Sequence, residues 1–151
     1  MNHIAALLTP DTILLDLTFV SKKALFEHAG TVFSRLLNLK PGDVVNSLSE
    51  REQLGSTALG YGIAIPHGRI KGLRQATGAL YRLQHAMGFD APDGQPVGLC
   101  FILLVPHDAN EAHLQILGEL AQMFGDETMR TRLLLAKNTA ELSTLINAWT
   151  A

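Results

Sequence analysis

The sequence predicts an α/β fold, a mixed β-sheet with helices on both faces, in a single domain spanning residues 1–151. Three observations carry that prediction. Helical and strand periods alternate along the chain. The run from Val97 to Val105 is apolar, as befits a strand covered on both sides. No internal repeat, low-complexity tract or linker composition divides the sequence.

The elements follow in order. Ile13-Leu14-Leu15-Asp16-Leu17, after a turn at Thr9-Pro10-Asp11, reads as the first strand. Ser21 then stands at an N-cap position, and Ala24, Leu25, Ala29, Val32, Phe33, Leu36 and Leu37 recur at helical spacing. Pro41-Gly42 punctuates. Val44, Val45 and Leu48 begin a second helix that carries Arg51 and is expected to end on Gly55 as a left-handed cap. Strands are expected at Ile63–Ile65, Gly78–Leu83 and Leu99–Val105, the middle one alternating small and larger residues like a partly exposed strand. Between the last two, Asp90-Ala91-Pro92-Asp93-Gly94-Gln95-Pro96 reads as a turn joining neighbours in the sheet. Helical patterns over Glu111–Phe124, Thr128–Leu135 and Ala140–Trp149 complete the chain. Asn110 and Asn138 suit the caps of the first and last, and Glu141 stands where a capping box places a carboxylate.

Composition narrows the function. At 151 residues, 47% hydrophobic and 17% charged, the chain can bury a substantial core and is not of the disordered class. A net charge of -2 argues against non-specific nucleic-acid binding and against a polybasic membrane surface. The lone cysteine, Cys100, lies inside the apolar run and reads as a small buried hydrophobe. Met1-Asn2-His3-Ile4 lacks the features of a signal peptide, and no apolar run approaches the roughly 20 residues that span a bilayer. The expectation is a cytoplasmic protein.

The segment with most chemical content is Gly62-Ile63-Ala64-Ile65-Pro66-His67-Gly68-Arg69. Its apolar residues read as a short buried strand that Pro66 should stop, since proline keeps the residue before it extended. Gly68 removes bulk beside His67 and is expected to let the backbone turn sharply. That presents an imidazole at the end of a rigid element, where it serves either as a hydrogen-bonded strand-end histidine or as a nucleophile. Just upstream, Arg51-Glu52-Gln53-Leu54-Gly55-Ser56-Thr57 supplies a guanidinium and two hydroxyls, groups suited to an oxyanion. Farther on, His113 heads an apolar helical stripe with Leu117, Leu120 and Phe124; spacing alone reads it as a buried, hydrogen-bonded histidine.

The two segments together, with Gly60 between them, resemble the IIA proteins of the bacterial phosphoenolpyruvate-dependent phosphotransferase system, in the fructose/mannitol-type superfamily and in particular its nitrogen-regulatory branch. The resemblance covers nearly the whole chain and implies the same α/β sandwich. It implies His67 as phosphoryl acceptor, on the ring nitrogen far from the main chain, with the other ring N–H tied to a backbone carbonyl. It implies His113, in its His-Leu context, as a hydrogen-bond donor to the phosphoryl oxygens, and Arg51 as the positive charge. Ser56, Thr57 and Gly68 are the expected phosphate-binding residues. His107 does not match the family pattern and is taken as a loop residue; His3, His28 and His85 have no site context.

His67, His107 and His113 do not make a metal site by spacing, because no thiolate or acidic partner completes the motif. No cofactor is implied, and no Walker-type loop is present. The expected donor is a small histidine phosphocarrier. The expected output is regulation of target proteins such as transporters or kinases by phosphorylation state, without nucleic-acid binding or membrane insertion. The alternative is a sugar-specific IIA component that passes the group to a IIB domain for fructose/mannitol-type uptake.

Overall fold

In the computed structural model, residues 2–109 and 111–150 are described. Short 3-10 turns at Ala5–Leu7 and Pro10–Thr12 lead into β1 (Ile13–Leu17). Ser21 accepts the Ala24 N–H and so caps α1 (Lys22–Leu37), which Asn38 ends in the left-handed conformation. Pro41 opens α2 (Pro41–Gln53), where its missing N–H loses nothing. The end of α2 departs from expectation. Leu54 closes it in the right-handed conformation, its N–H donating to the Arg51 carbonyl while Gly55 N–H donates to the Glu52 carbonyl, and Gly55 stands at φ 150° rather than as a left-handed cap. The chain folds straight back so that Thr57 lies against Glu52.

β2 (Ala58–Gly60) and β3 (Ile63–Ala64) form an antiparallel hairpin turned through Tyr61 and Gly62, both at positive φ. Asp93 accepts the Tyr61 N–H at 2.9 Å and steadies that tip. The chain then continues as β4 (His67–Ile70), and Pro66 does not stop the strand as expected. β3 and β4 both run parallel to β6 (Val97–Pro106) in one register, Ile63 facing Leu99, Ala64 Cys100, His67 Leu103 and Gly68 Leu104. Pro66 has no N–H to contribute, but its carbonyl still accepts Leu103 N–H at 2.9 Å, so pairing resumes at once. His67 therefore lies at the start of a paired segment, and Gly68 is a buried strand residue rather than a turn.

β5 (Thr77–Met87) pairs antiparallel with β6 and parallel with β1. Among the described residues the sheet has 6 strands in the order β1-β5-β6-β3-β2, with β4 also on β6. Gly78–Leu83 of β5, expected to be partly exposed, is buried throughout because both of its faces are covered; exposed residues begin beyond it, at Gln84–Ala86. α3 (Glu111–Gly125), α4 (Glu127–Leu135) and α5 (Thr139–Ala148) follow. Asn138 accepts Glu141 N–H at 2.8 Å and caps the last; Asn110, the other expected cap, lies outside the described residues.

Strand alternation sorts the core into two layers. Leu99, Phe101 and Leu103 of β6 pack with Leu120, Phe124, Leu133 and Ile146 of the C-terminal helices. Cys100, Ile102 and Leu104 pack the other way, against Leu25, Phe33, Val44 and Leu48 of α1 and α2. Helices thus cover both faces of a mixed sheet. Cys100 is fully enclosed, and burial pushes its thiol well above the ordinary range. The start of β4, the last turn of α2 and the first turn of α3 meet along one side of the molecule, around a single cleft.

Candidate active site

His67 is half-buried at the start of β4. Its Nδ1 lies 2.9 Å from the Ile65 carbonyl, and a carbonyl can only accept, so Nδ1 carries the proton and Nε2 keeps the lone pair. Desolvation holds the ring's pKa below the ordinary 6.5; the Ile65 bond opposes this, the Arg51 charge adds to it, and the Glu52 charge opposes it. The imidazole is thus kept neutral over a wider pH range than an exposed one, with a fixed tautomer. Those are the properties of a nitrogen nucleophile.

The cleft beside it has a volume of about 710 Å³, and its wall includes Arg51, His67, Gly68, Arg69, His107 and His113. Arg51 comes from the last turn of α2, where its Nη1 donates to the Gly55 carbonyl at 2.9 Å. α2 approaches so closely because Gly68 has no side chain: a Cβ there would stand 2.2 Å from Ser47 Oγ and 3.2 Å from the Ser47 carbonyl carbon. His113 enters from the first turn of α3, partly buried. The structure therefore brings His67, His113, Arg51 and Gly68 to one cleft.

Ser56 and Thr57 are not brought there. Ser56 Oγ donates to the Phe89 carbonyl and accepts Ala58 N–H, and Thr57 Oγ1 donates to Glu52 at 2.6 Å. Their hydroxyls are committed to holding the α2–β2 loop, which corrects the expectation that they face an oxyanion. In their place the cleft holds two residues the sequence reading left aside. Arg69 shares His67's side of β4 by strand period two, and its Nη1 donates to the His107 and Ala109 carbonyls at 3.2 and 3.1 Å. His107, read as a loop residue, forms part of the wall. Strand alternation from His67 was the signal that finds Arg69; nothing local marks His107. Among the described residues, no three His, Cys, Asp or Glu side chains are placed to hold a metal ion. Nor is any described helix long and apolar enough to cross a membrane.

Residues 6–149 match the family model of the phosphoenolpyruvate-dependent sugar phosphotransferase system, EIIA 2. The chain belongs to that family. This IIA protein superposes on the nitrogen regulatory protein IIA-Ntr of Neisseria meningitidis with a TM-score of 0.91 and 46% identity, over 96% of this chain and 99% of that one. It is 39% identical over 134 residues to the nitrogen regulatory protein of Pseudomonas aeruginosa, covering 88% of this chain and 87% of the relative. IIA mannitol of Escherichia coli shares the fold at a TM-score of 0.78 and 22% identity, over 92% of this chain and 98% of that one. The IIA fold of the fructose/mannitol-type superfamily is thus present here, with relatives named for nitrogen regulation.

Proposed function

We propose that this IIA protein is a phosphohistidine-carrying regulator, accepting a phosphoryl group on Nε2 of His67 from a small histidine phosphocarrier and altering its binding to target proteins by its phosphorylation state. The observation that carries the reading is the neutral, tautomer-fixed imidazole of His67 in a cleft it shares with Arg51, Arg69 and His113. In the step itself the donor's N–P bond breaks and returns an electron pair to the donor imidazole. The Nε2 lone pair of His67 forms the new N–P bond, and no metal or nucleotide is required.

The loose transition state spreads negative charge over the equatorial oxygens, so the surroundings act by placing charge and donors. Arg51 supplies a planar fork of N–H groups, and His113 supplies a donor from the facing helix. The relatives' names support a regulatory output over delivery to a sugar-specific IIB domain.

The test is incubation with phosphoenolpyruvate, the first enzyme of the system and the phosphocarrier, followed by intact-mass analysis. A single acid-labile phosphoryl group is expected on the wild type and none on His67→Ala. Stable labelling of the alanine variant would overturn the assignment. Onward transfer to a IIB protein at the rate of a sugar component would replace the regulatory reading.

A further inference from the structure

Glu52 has a position that phosphoryl transfer, as described so far, does not use. It follows Arg51 on the last turn of α2, yet its side chain turns inward and is only 7% exposed. A carboxylate taken out of water needs partners, and Glu52 has three donors. Lys22 Nζ lies 2.9 Å from Oε2, the Thr57 N–H lies 3.1 Å from the same oxygen, and the Thr57 hydroxyl lies 2.6 Å from Oε1.

We propose that Glu52 is a positioning residue for transfer, clamping Thr57 so that one buried carboxylate sets both the nucleophile and the cation of the cleft. Two chains of contacts lead out from the clamp. In the first, the Thr57 carbonyl accepts Ile65 N–H at 3.0 Å, and the Ile65 carbonyl in turn accepts His67 Nδ1–H at 2.9 Å. In the second, the clamp closes the 54–57 loop against α2, where Leu54 and Gly55 donate to the Arg51 and Glu52 carbonyls. That holds the Gly55 carbonyl where Arg51 Nη1 reaches it at 2.9 Å. The relay is geometric: each chain passes through tetrahedral Cα atoms, so position is transmitted rather than bond polarisation. Lys22, itself on α1, neutralises the clamp and ties it to the neighbouring helix. The catalytic contacts remain those assigned to His67 and Arg51, which line the cleft, as Glu52 does not.

This inference rests on the transfer reading above, and the experiment separates the two. Glu52→Gln keeps the shape and removes the charge. Two quantities are read: the kinetics of transfer from the phosphorylated phosphocarrier, and the imidazole nitrogen NMR of unphosphorylated His67. The expected result is kcat lower by about tenfold or more, since small misplacement of reacting groups is costly. KM for the phosphocarrier should stay near its wild-type value, because binding of the carrier is not what the clamp serves. The His67 ring should titrate at lower pH, having lost a negative charge that favours its protonated form, and its Nδ1–H tautomer should be less dominant.

Should Glu52→Gln fail to fold, Thr57→Val removes one bond of the clamp at constant volume and keeps the Glu52 charge; it should lower kcat and make the Nδ1–H tautomer of His67 less dominant, with Thr57→Ser restoring both. A folded clamp variant with wild-type kcat overturns the proposal, as does one whose His67 keeps its wild-type tautomer balance. If the wild type takes up no phosphoryl group, the function proposed above falls, and the NMR arm still decides whether Glu52 sets His67.

Discussion

A guanidinium and an ammonium carry the same charge, but only the guanidinium is a rigid planar fork that can hold the Gly55 carbonyl and present further N–H groups beside it. Arg51→Lys should therefore slow phosphoryl transfer roughly tenfold, the scale of a weakened transition-state donor. Stability should stay within about 0.5 kcal/mol, as for most substitutions on a surface turn. Single-turnover transfer and thermal unfolding check the two halves, and a wild-type rate in the lysine variant would return Arg51 to the solvated surface. Residue type and spacing made His67 and Arg51 legible as candidates before any coordinates, and the family resemblance, not spacing, added His113. They did not make direction legible. Ser56 and Thr57 sit in the right stretch of sequence, but a loop's side chains follow its tertiary partners. Phe89 and Glu52 claim both hydroxyls.

At the scale of elements, the contact between α2 and β4 decides how close Arg51 comes to His67. Gly68 is the thinnest point of that contact, because a Cβ would run into both the side chain and the backbone of Ser47. Gly68→Ala should push α2 outward and destabilise the protein by about 1–3 kcal/mol, the usual range for overpacking. Transfer should slow as well, because the displaced helix carries Arg51. Denaturant unfolding and transfer kinetics on the one variant test both effects, and a stable variant with normal transfer would show that the layer yields without consequence. Most elements were readable from period and caps: Ser21 and Asn138 cap as their side chains suggest. The passage through Pro66 was not readable. Proline is a local stop signal, whereas the pairing that carries the strand onward belongs to β6, more than thirty residues away in sequence. Local bonds instead close α2 on Leu54, from Leu54 N–H to the Arg51 carbonyl and from Gly55 N–H to the Glu52 carbonyl, and strip Gly55 of its expected cap role.

For the whole molecule, two histidines couple protonation to folding. Burial holds His67 below its ordinary pKa against the opposing Ile65 hydrogen bond and smaller charge effects, and burial followed by the Arg35 charge does the same for His28, whose Nδ1 pairs with the Tyr81 hydroxyl at 2.8 Å. A ring whose folded pKa is depressed binds its proton more readily in the unfolded chain. Its contribution is complete above pH 6.5 and is lost as pH falls through the folded value. Denaturant unfolding should give constant stability above pH 7 and a decline from about pH 6.5 downward, before the carboxylates begin to titrate. His67→Ala should flatten that decline; an unchanged slope would mean the ring is as free to protonate in the fold as out of it.

Cys100 faces Tyr81 across the paired β5 and β6, with no accessible surface and a thiol held in its unreactive form. An alkylating reagent reaches that sulfur only when the sheet itself comes apart. Because Cys100 is the chain's single cysteine, each alkylation event records one opening and nothing else. When reclosing outpaces the reagent, the rate of mass gain reports the population of open molecules rather than the speed of opening. The protein thus carries an internal recorder of its own unfolding, one that could be read in a crowded lysate without attaching a probe.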